Sequence, residues 1–256
     1  MFWLTLLEVL PALFLYAGRA AGVVITTPGL GQSAQVPPQI KVGIVFLLAL
    51  VMVGAMGPGK WAGADPWLVA MALPLEFVVG LMLGFCVRFL FAIVEVAGEF
   101  MAFQMGFAAA ATFDPTLGAV SSPPTRLLFM VSLMIFFAID GHHQVIIALV
   151  DSYSAVGAGG ASLDVLNAES FLELTYGLFR SGVRIAFPLI VVMLMINLVL
   201  GLIVRFLPQV NVFMIGFILT IGFGMLVLGE LMPSYGALLE GLLGSVSEIL
   251  PKMLRR

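Results

Sequence analysis

The 256-residue chain has too few charged residues to form the surface of a water-soluble domain. Only 10% of its residues are charged, whereas 62% are hydrophobic, and about a quarter of the residues in a typical soluble domain are charged. The mean hydropathy is +1.17. The sequence therefore predicts that lipid, or other equally apolar subunits, surrounds much of the protein.

The chain also lacks the residues that several functional classes require. Its single cysteine, Cys86, excludes an intrachain disulfide framework. A net charge of −3 offers no basic patch for nucleic acid, and no Walker-type loop, dinucleotide loop or Gly-x-Ser-x-Gly frame occurs. His142 and His143 have too few partner ligands elsewhere in the sequence for a zinc site. We therefore predict no enzyme activity, no cofactor and no bound metal.

Long apolar runs, by contrast, are abundant, and they divide the chain into candidate membrane spans. A span needs about 20 mainly apolar residues, and the absence of regular apolar–polar alternation predicts helices rather than barrel strands. The runs are Phe2–Thr27, Ile40–Met56, Trp67–Ala111, Leu127–Val150, Phe171–Val204 and Val210–Leu250. Because Trp67–Ala111 is about twice as long as one span, the sequence leaves open whether it forms two spans or one long bent helix.

Two segments between the apolar runs are predicted to be irregular. Proline disfavours helix at its own position and at the residue before it, so Phe113–Arg126, with Asp114-Pro115 and Pro123-Pro124, is predicted to be a loop. The longest polar segment, Ser152–Ala168, is predicted to be an exposed linker. The whole chain, residues 1–256, is otherwise interpreted as one membrane domain.

Charged residues interrupt the apolar runs, and each must face a partner, the interior of a helix bundle or water. They are Glu8, Arg19, Glu76, Arg88, Glu95, Glu99, Asp140, Arg180, Arg184, Arg205, Glu230 and Glu240. Glu95 and Glu99 share one helical face, and Arg180 and Arg184 share another, so like charges repel within each pair. One interpretation is that the acidic pair meets the basic pair across a helix interface. Alternatively, each side chain snorkels to water from a span end, or the carboxylates form part of a proton relay.

Small and flexible residues give two further expectations. The pairs Gly18 with Gly22 and Gly80 with Gly84 have the spacing that lets helix backbones approach closely. Met101 and Met105 lie four residues apart, shortly before the run of small residues 108–111. Flexible thioethers adapt to irregular surfaces, so these methionines either help to close a pore or simply pack in a core.

Two segments carry a family resemblance. The first comprises Ala97-Gly98-Glu99, Gln104-Met105-Gly106-Phe107 and Phe113-Asp114-Pro115. The second contains Asn197, Arg205, Pro208, Gln209, Asn211 and Phe213. Both resemble the signature stretches of the FliR family, which includes the export-apparatus T subunit of virulence injectisomes. Order, spacing and total length also fit, so the resemblance covers essentially the whole chain.

The resemblance implies an all-α integral membrane protein whose helical hairpins pack into a multi-subunit helical export gate. That gate would lie in the bacterial inner membrane at the flagellar basal body and conduct unfolded flagellar proteins. FliP-like and FliQ-like subunits would complete it, and FlhB-like and FlhA-like proteins of the export apparatus would associate with it. The resemblance assigns a packing role to the residues of the second segment.

The resemblance also implies a plug that reaches into the channel and keeps it closed. This plug corresponds to residues 104–118, and its motif residues are Gln104, Met105, Gly106, Phe107, Phe113, Asp114 and Pro115. A flexible methionine, bulky phenylalanines, small alanines and a proline breaker agree with a deformable closure.

Two other functional classes compete with this interpretation. A stand-alone secondary transporter of a small solute often has related halves and helices broken at the midplane of the membrane, but the two halves of this chain show no similarity. A membrane-embedded enzyme would need a catalytic constellation that the sequence does not contain.

Overall fold

The computed structural model describes residues 2–29, 31, 36–107, 122–160, 168–206 and 212–254. Long helices dominate these ranges, and no strand occurs within them, which confirms the predicted all-α fold class. The helices are α1 (Phe2–Thr26), α2 (Pro38–Met56), α3 (Pro66–Gln104), α4 (Pro123–Ala138), α5 (Gly141–Ala155), α6 (Ala168–Phe206) and α7 (Val212–Leu254). A 3₁₀ turn at Gly59–Trp61 lies between α2 and α3.

Five of the described helices contain stretches long and apolar enough to cross a membrane. These stretches are Val9–Thr26, Pro38–Met56, Pro66–Gln104, Thr175–Ile203 and Gly216–Ala237. The bent pair formed by α4 and α5 adds a sixth if the two helices act as one span. Together they make the chain a multi-pass membrane protein.

Helix α3 resolves the alternative that the sequence left open for the run after Trp67. It is one continuous helix of 39 residues, about 58 Å long at 1.5 Å per residue. Pro74 lies inside it and removes one backbone hydrogen-bond donor, but apolar residues that favour helix continue on both sides. Residues 66–104 therefore form one long helix rather than two.

The run Leu127–Val150, in contrast, forms two helices. Between α4 and α5, Asp140 adopts a left-handed backbone conformation with φ 57°, which a helix cannot continue through and which aspartate tolerates better than most residues. Helix α5 continues to Ala155, so the first residues of the predicted linker Ser152–Ala168 are helical. Residues 161–167 of that linker lie outside the described ranges.

The chain divides into two compact units. The first unit contains Met1–Phe89, Asp140–Leu174 and Leu243–Arg256, and the second contains Leu90–Ile139 and Thr175–Leu242. In the first unit, α1 contacts α2 and α5 and crosses the N-terminal part of α3. In the second unit, the C-terminal part of α3 packs with α4, α6 and α7.

Candidate functional site

Helices α1 and α3 cross at the glycines that the sequence predicted to allow close approach. A Cβ atom on Gly22 would lie 2.5 Å from the backbone nitrogen of Leu81, and one on Gly80 would overlap the backbone of Arg19. Gly84 has no room for a Cβ atom either. The predicted close approach is therefore confirmed at Gly22, Gly80 and Gly84, and any larger residue would push the two helices apart.

A fully buried ion pair lies beside this crossing. Nε of Arg19 is 2.7 Å from Oε2 of Glu76, and both side chains are completely shielded from solvent. The same guanidinium donates hydrogen bonds to Oγ of Ser152 at 2.9 Å and to the carbonyl oxygen of Val156 at 3.1 Å. The second carboxylate oxygen of Glu76 accepts a hydrogen bond from the backbone N–H of Gly159 at 2.7 Å. Because both charges are also hydrogen-bonded, their burial is compensated.

An aromatic ring lies against the guanidinium of Arg19. Its Cζ atom lies 3.9 Å from the centroid of the Tyr153 ring, within the range of a cation–π interaction. The Tyr16 ring meets the Tyr153 ring edge-to-face, with 4.9 Å between the centroids. Indole Nε1 of Trp61 donates to the carbonyl oxygen of Ala158 at 2.6 Å. The end of α5 and the turn after it are thus fastened to α1, to α3 and to the 3₁₀ turn.

Sequence reasoning placed Arg19 and Glu76 among the charges that avoid lipid, but it did not pair them. A signal was nevertheless present. Arg19 lies between the two glycines of one small-residue pair, and Glu76 lies one helical turn before the first glycine of the other. Opposite charges next to two glycine pairs predict that the pairs cross each other with the charges in contact.

The predicted plug begins at the C-terminal end of α3. We call Met105 and Gly106 the root of the plug. Met105 is fully buried, and its carbonyl oxygen accepts a hydrogen bond from Oγ1 of Thr220 at 3.1 Å. A Cβ atom on Gly224 would lie only 2.5 Å from Cγ of Met105, so the methionine fills the space that this glycine leaves. Gly106 then adopts a left-handed φ of 88°, a conformation that glycine adopts at low cost and that commonly ends helices.

The structure describes only part of the predicted plug. Gln104, Gly106 and Phe107 are half-buried, whereas Phe113, Asp114 and Pro115 lie outside the described residues. Met101 is as fully buried as Met105, and the hydroxyl of Tyr235 lies 3.5 Å from its sulfur. Both methionines therefore pack in the core of the second unit, and the plug itself stays a prediction.

The predicted ion pairs between α3 and α6 also stay a prediction. Oε1 of Glu99 lies 3.3 Å from Oγ of Ser122, and Glu95 is half-buried on the preceding turn. Arg180 and Arg184 are exposed. In the part of the chain that the structure describes, Glu99 is therefore held by a serine at the start of α4.

The second family-like segment is only partly described. Asn197 and Arg205 are exposed on α6. Pro208, Gln209 and Asn211 lie outside the described ranges, and Phe213 lies in α7 without a described side chain. Their predicted packing role stays a prediction.

One group of possible metal ligands occurs among the described residues. Single ligand atoms of Asp140, His142 and His143 lie within 4.8 Å of one another, and Nδ1 of His143 is 3.3 Å from Oδ1 of Asp140. The side chains of Asp140 and His143 are more than half exposed. Exposed acidic groups of this kind are common without an ion, so the cluster alone does not define a metal site.

Comparison with known proteins gives one consistent result. Residues 10–246 match the family described as bacterial export proteins, family 1. The flagellar biosynthetic protein FliR of Escherichia coli is 34% identical over 238 residues, which cover 91% of this chain and 88% of that protein. FliR of Aquifex aeolicus is 32% identical over 223 residues (86% and 85% of the two chains). FliR of Bacillus subtilis is 27% identical over 228 residues (88% and 87%).

Proposed function

The chain belongs to family 1 of the bacterial export proteins, and we propose that it is a structural channel subunit of a flagellar type III protein export gate. In this role it helps to form and seal the conduit for unfolded flagellar proteins and has no catalytic activity of its own. The observation that supports the proposal most strongly is the match to proteins named flagellar biosynthetic protein FliR along about nine-tenths of the chain.

The exposed surface of the helices is consistent with a role inside an assembly. Helix α2 is apolar on all sides after its first turn and largely exposed, and the exposed sides of α6 combine large apolar residues with three arginines. A lipid bilayer accommodates the apolar surface of α2, but the charged groups on α6 need partners or water. We propose that FliP-like and FliQ-like subunits cover part of this surface, that FlhB-like and FlhA-like proteins complete the apparatus, and that the gate lies in the inner membrane at the flagellar basal body.

The proposed seal is the segment from Gln104 to Gly118. Two features of its root support this assignment. Met105 is anchored by packing and by the hydrogen bond from Thr220, and the left-handed Gly106 redirects the chain immediately afterwards. A fixed root followed by a change of direction lets a short segment project away from the helix bundle, where bulky apolar side chains can close a pore to ions.

Co-assembly tests the proposal directly. The chain is expressed with and without FliP-like and FliQ-like partners from the same bacterium, extracted in mild detergent and analysed by size exclusion and mass spectrometry. We expect one stable complex that contains all three proteins, and poor recovery of the chain expressed alone. Recovery of the chain as a monodisperse monomer that does not bind the co-expressed partners would overturn the proposed function.

A further inference from the structure

The length of helix α2 fixes the depth of its C-terminal end in the membrane. Its 19 residues, Pro38–Met56, rise about 28 Å at 1.5 Å per residue, and the hydrocarbon core of a bilayer is about 30 Å thick. Only 11% of the helix is buried within the chain, and its mean hydropathy is 2.2. Because α2 needs nearly its whole length to cross the bilayer, it ends at one membrane surface.

The connection that follows α2 leads directly into another apolar helix. Residues 57–65 contain three glycines, include the 3₁₀ turn Gly59–Trp61 and are followed by α3 at Pro66. Lys60, Ala62 and Gly63 are exposed. Irregular backbone exposed to lipid does not occur in the hydrocarbon region, so the connection lies at the level of the lipid headgroups.

Two exposed side chains at this connection have the chemistry that suits a membrane surface. Trp67, in the first turn of α3, is 67% exposed, and Leu68 and Met71 are exposed beside it and one turn further along the helix. An indole ring between a polar turn and apolar neighbours is typical of the membrane–water boundary. Neither the Lys60 ammonium group nor the Trp67 indole N–H has a hydrogen-bond or ion-pair partner among the residues that the structure describes.

Contacts on the inner side of the connection hold it in place. Trp61 donates a hydrogen bond to the carbonyl oxygen of Ala158, and its ring fills the space beside Gly159, where a Cβ atom would overlap it. The backbone N–H of Trp67 donates to Oδ1 of Asp65 at 3.0 Å, which fixes the start of α3. Trp61 therefore packs inside the first unit, whereas Trp67 faces outward.

We propose that Lys60 and Trp67 form a lipid anchor that binds the headgroup layer of the bilayer. The Lys60 ammonium group pairs with phospholipid phosphate groups, and the Trp67 ring lies at the inner edge of the headgroups, where ester carbonyl oxygens accept from its N–H. The headgroup layer supplies the acceptors that these two donors lack within the described chain, and it is continuous with the lipid around α2. The anchor sets the height of the first unit in the membrane and goes beyond the proposed function, because it requires only that α2 spans.

The first experiment measures depth with the assembled chain in vesicles of phosphatidylethanolamine and phosphatidylglycerol. A nitroxide spin label is attached through Leu68→Cys, which leaves the lipid anchor intact, after Cys86→Ala has removed the single native cysteine. Oxygen, which concentrates in hydrocarbon, and a water-soluble nickel chelate are the two relaxing agents. We expect both agents to reach position 68, because it lies just inside the headgroup layer.

Two matched positions calibrate the depth. Leu47→Cys places the label at the middle of α2, at a residue 62% exposed, where oxygen alone should reach it. Ala62→Cys places the label on the exposed connection, where the nickel chelate should dominate. The ratio of the two accessibilities at position 68 should lie between these two values.

The second experiment tests the charge of Lys60. A photo-crosslinking amino acid replaces Ala62, two residues from Lys60, and mass spectrometry measures the share of phosphatidylglycerol among the crosslinked lipids. Lys60→Gln should lower that share about fivefold, the effect of one basic residue close to an anionic surface. The matched control is Lys41→Gln at the opposite end of α2, where Nζ of Lys41 donates to the carbonyl oxygen of Gly31. This control should leave the share unchanged.

Three results would overturn the inference. A label at position 68 that neither agent reaches would show that another subunit covers the surface, and a label with the accessibility of position 62 or of position 47 would place it in water or in the hydrocarbon. An unchanged share of phosphatidylglycerol in Lys60→Gln would exclude pairing with lipid phosphate. None of these results alters the co-assembly experiment, so the proposed function stands or fails separately.

Discussion

The guanidinium of Arg19 and the carboxylate of Glu76 form a 2.7 Å ion pair from which solvent is completely excluded. The pair joins α1 to α3 at the point where glycines bring the two backbones together. Through Ser152, Val156 and Gly159 it also holds the end of α5 and the turn after it. One interaction thus fixes three parts of the first unit.

Removal of one charge from this pair should destabilise the protein strongly. Glu76→Leu leaves the buried guanidinium without its counter-charge, and the expected cost is about 3–5 kcal/mol. The combined change Arg19→Met and Glu76→Leu removes both charges and should recover most of that loss. Thermal unfolding of the purified assembly in detergent measures both effects.

The matched control for this experiment is Glu230→Leu, because Glu230 is an exposed acidic residue on α7. It should leave the unfolding temperature almost unchanged. If Glu76→Leu unfolds at the same temperature as the control variant, the ion pair does not contribute to the stability of the protein.

A second prediction concerns the glycine crossing. Gly80→Ala places a methyl group against the backbone of Arg19, and backbone atoms cannot move aside as a flexible side chain can. We expect a loss of about 1–3 kcal/mol, together with loosening of the adjacent ion pair. Gly54→Ala on α2 is the control, since a Cβ atom there meets nothing within 4 Å. Because alanine favours helix more than glycine does, the control should be neutral or slightly stabilising, and equal losses in both variants would exclude a steric effect.

A third prediction separates packing from sealing at the root of the plug. Met105→Ala empties a fully buried position beside Gly224, and replacement of a buried methionine by alanine costs about 2–5 kcal/mol. Met134→Ala, at a position 72% exposed, should cost much less. If Met105→Ala has the same unfolding temperature as the wild type but makes the membrane permeable to ions, Met105 seals the pore directly and does not anchor the start of the plug by packing.

Sequence periodicity and composition predicted the helical class because about 20 consecutive apolar residues have few other stable structures in a membrane. The glycine pairs also predicted a close helix approach, which the structure places at Gly22 and Gly80. The division of Leu127–Val150 into two helices was not predicted, although the turn dipeptide Asp140-Gly141 lies inside the run and placed His142 and His143 at a helix end, where the structure has them. Local sequence patterns describe single helices, so they predict where helices lie better than where one ends within an apolar run.

Charge partners were harder to predict than helices. The sequence paired Glu95 and Glu99 with Arg180 and Arg184 on the basis of equal spacing alone, and it left Arg19 unpaired. Spacing shows which side chains share a helical face, but it does not show which helices cross. The signal that could have identified the Arg19 partner is the position of Arg19 and Glu76 beside the two glycine pairs, which the structure shows crossing at Gly22 and Gly80.

The central claim is that the chain helps to form and seal a protein-conducting channel, and ion conductance of the reconstituted gate tests it most directly. The combined change Phe107→Ala and Phe113→Ala removes bulk from the proposed plug, and alanine retains the tendency to form helix. The assembled wild-type gate should be closed to ions, and the assembled double variant should conduct them, because a dry apolar constriction is what excludes hydrated ions. An assembled double variant that is as tight as the wild type would contradict a seal made by these two side chains.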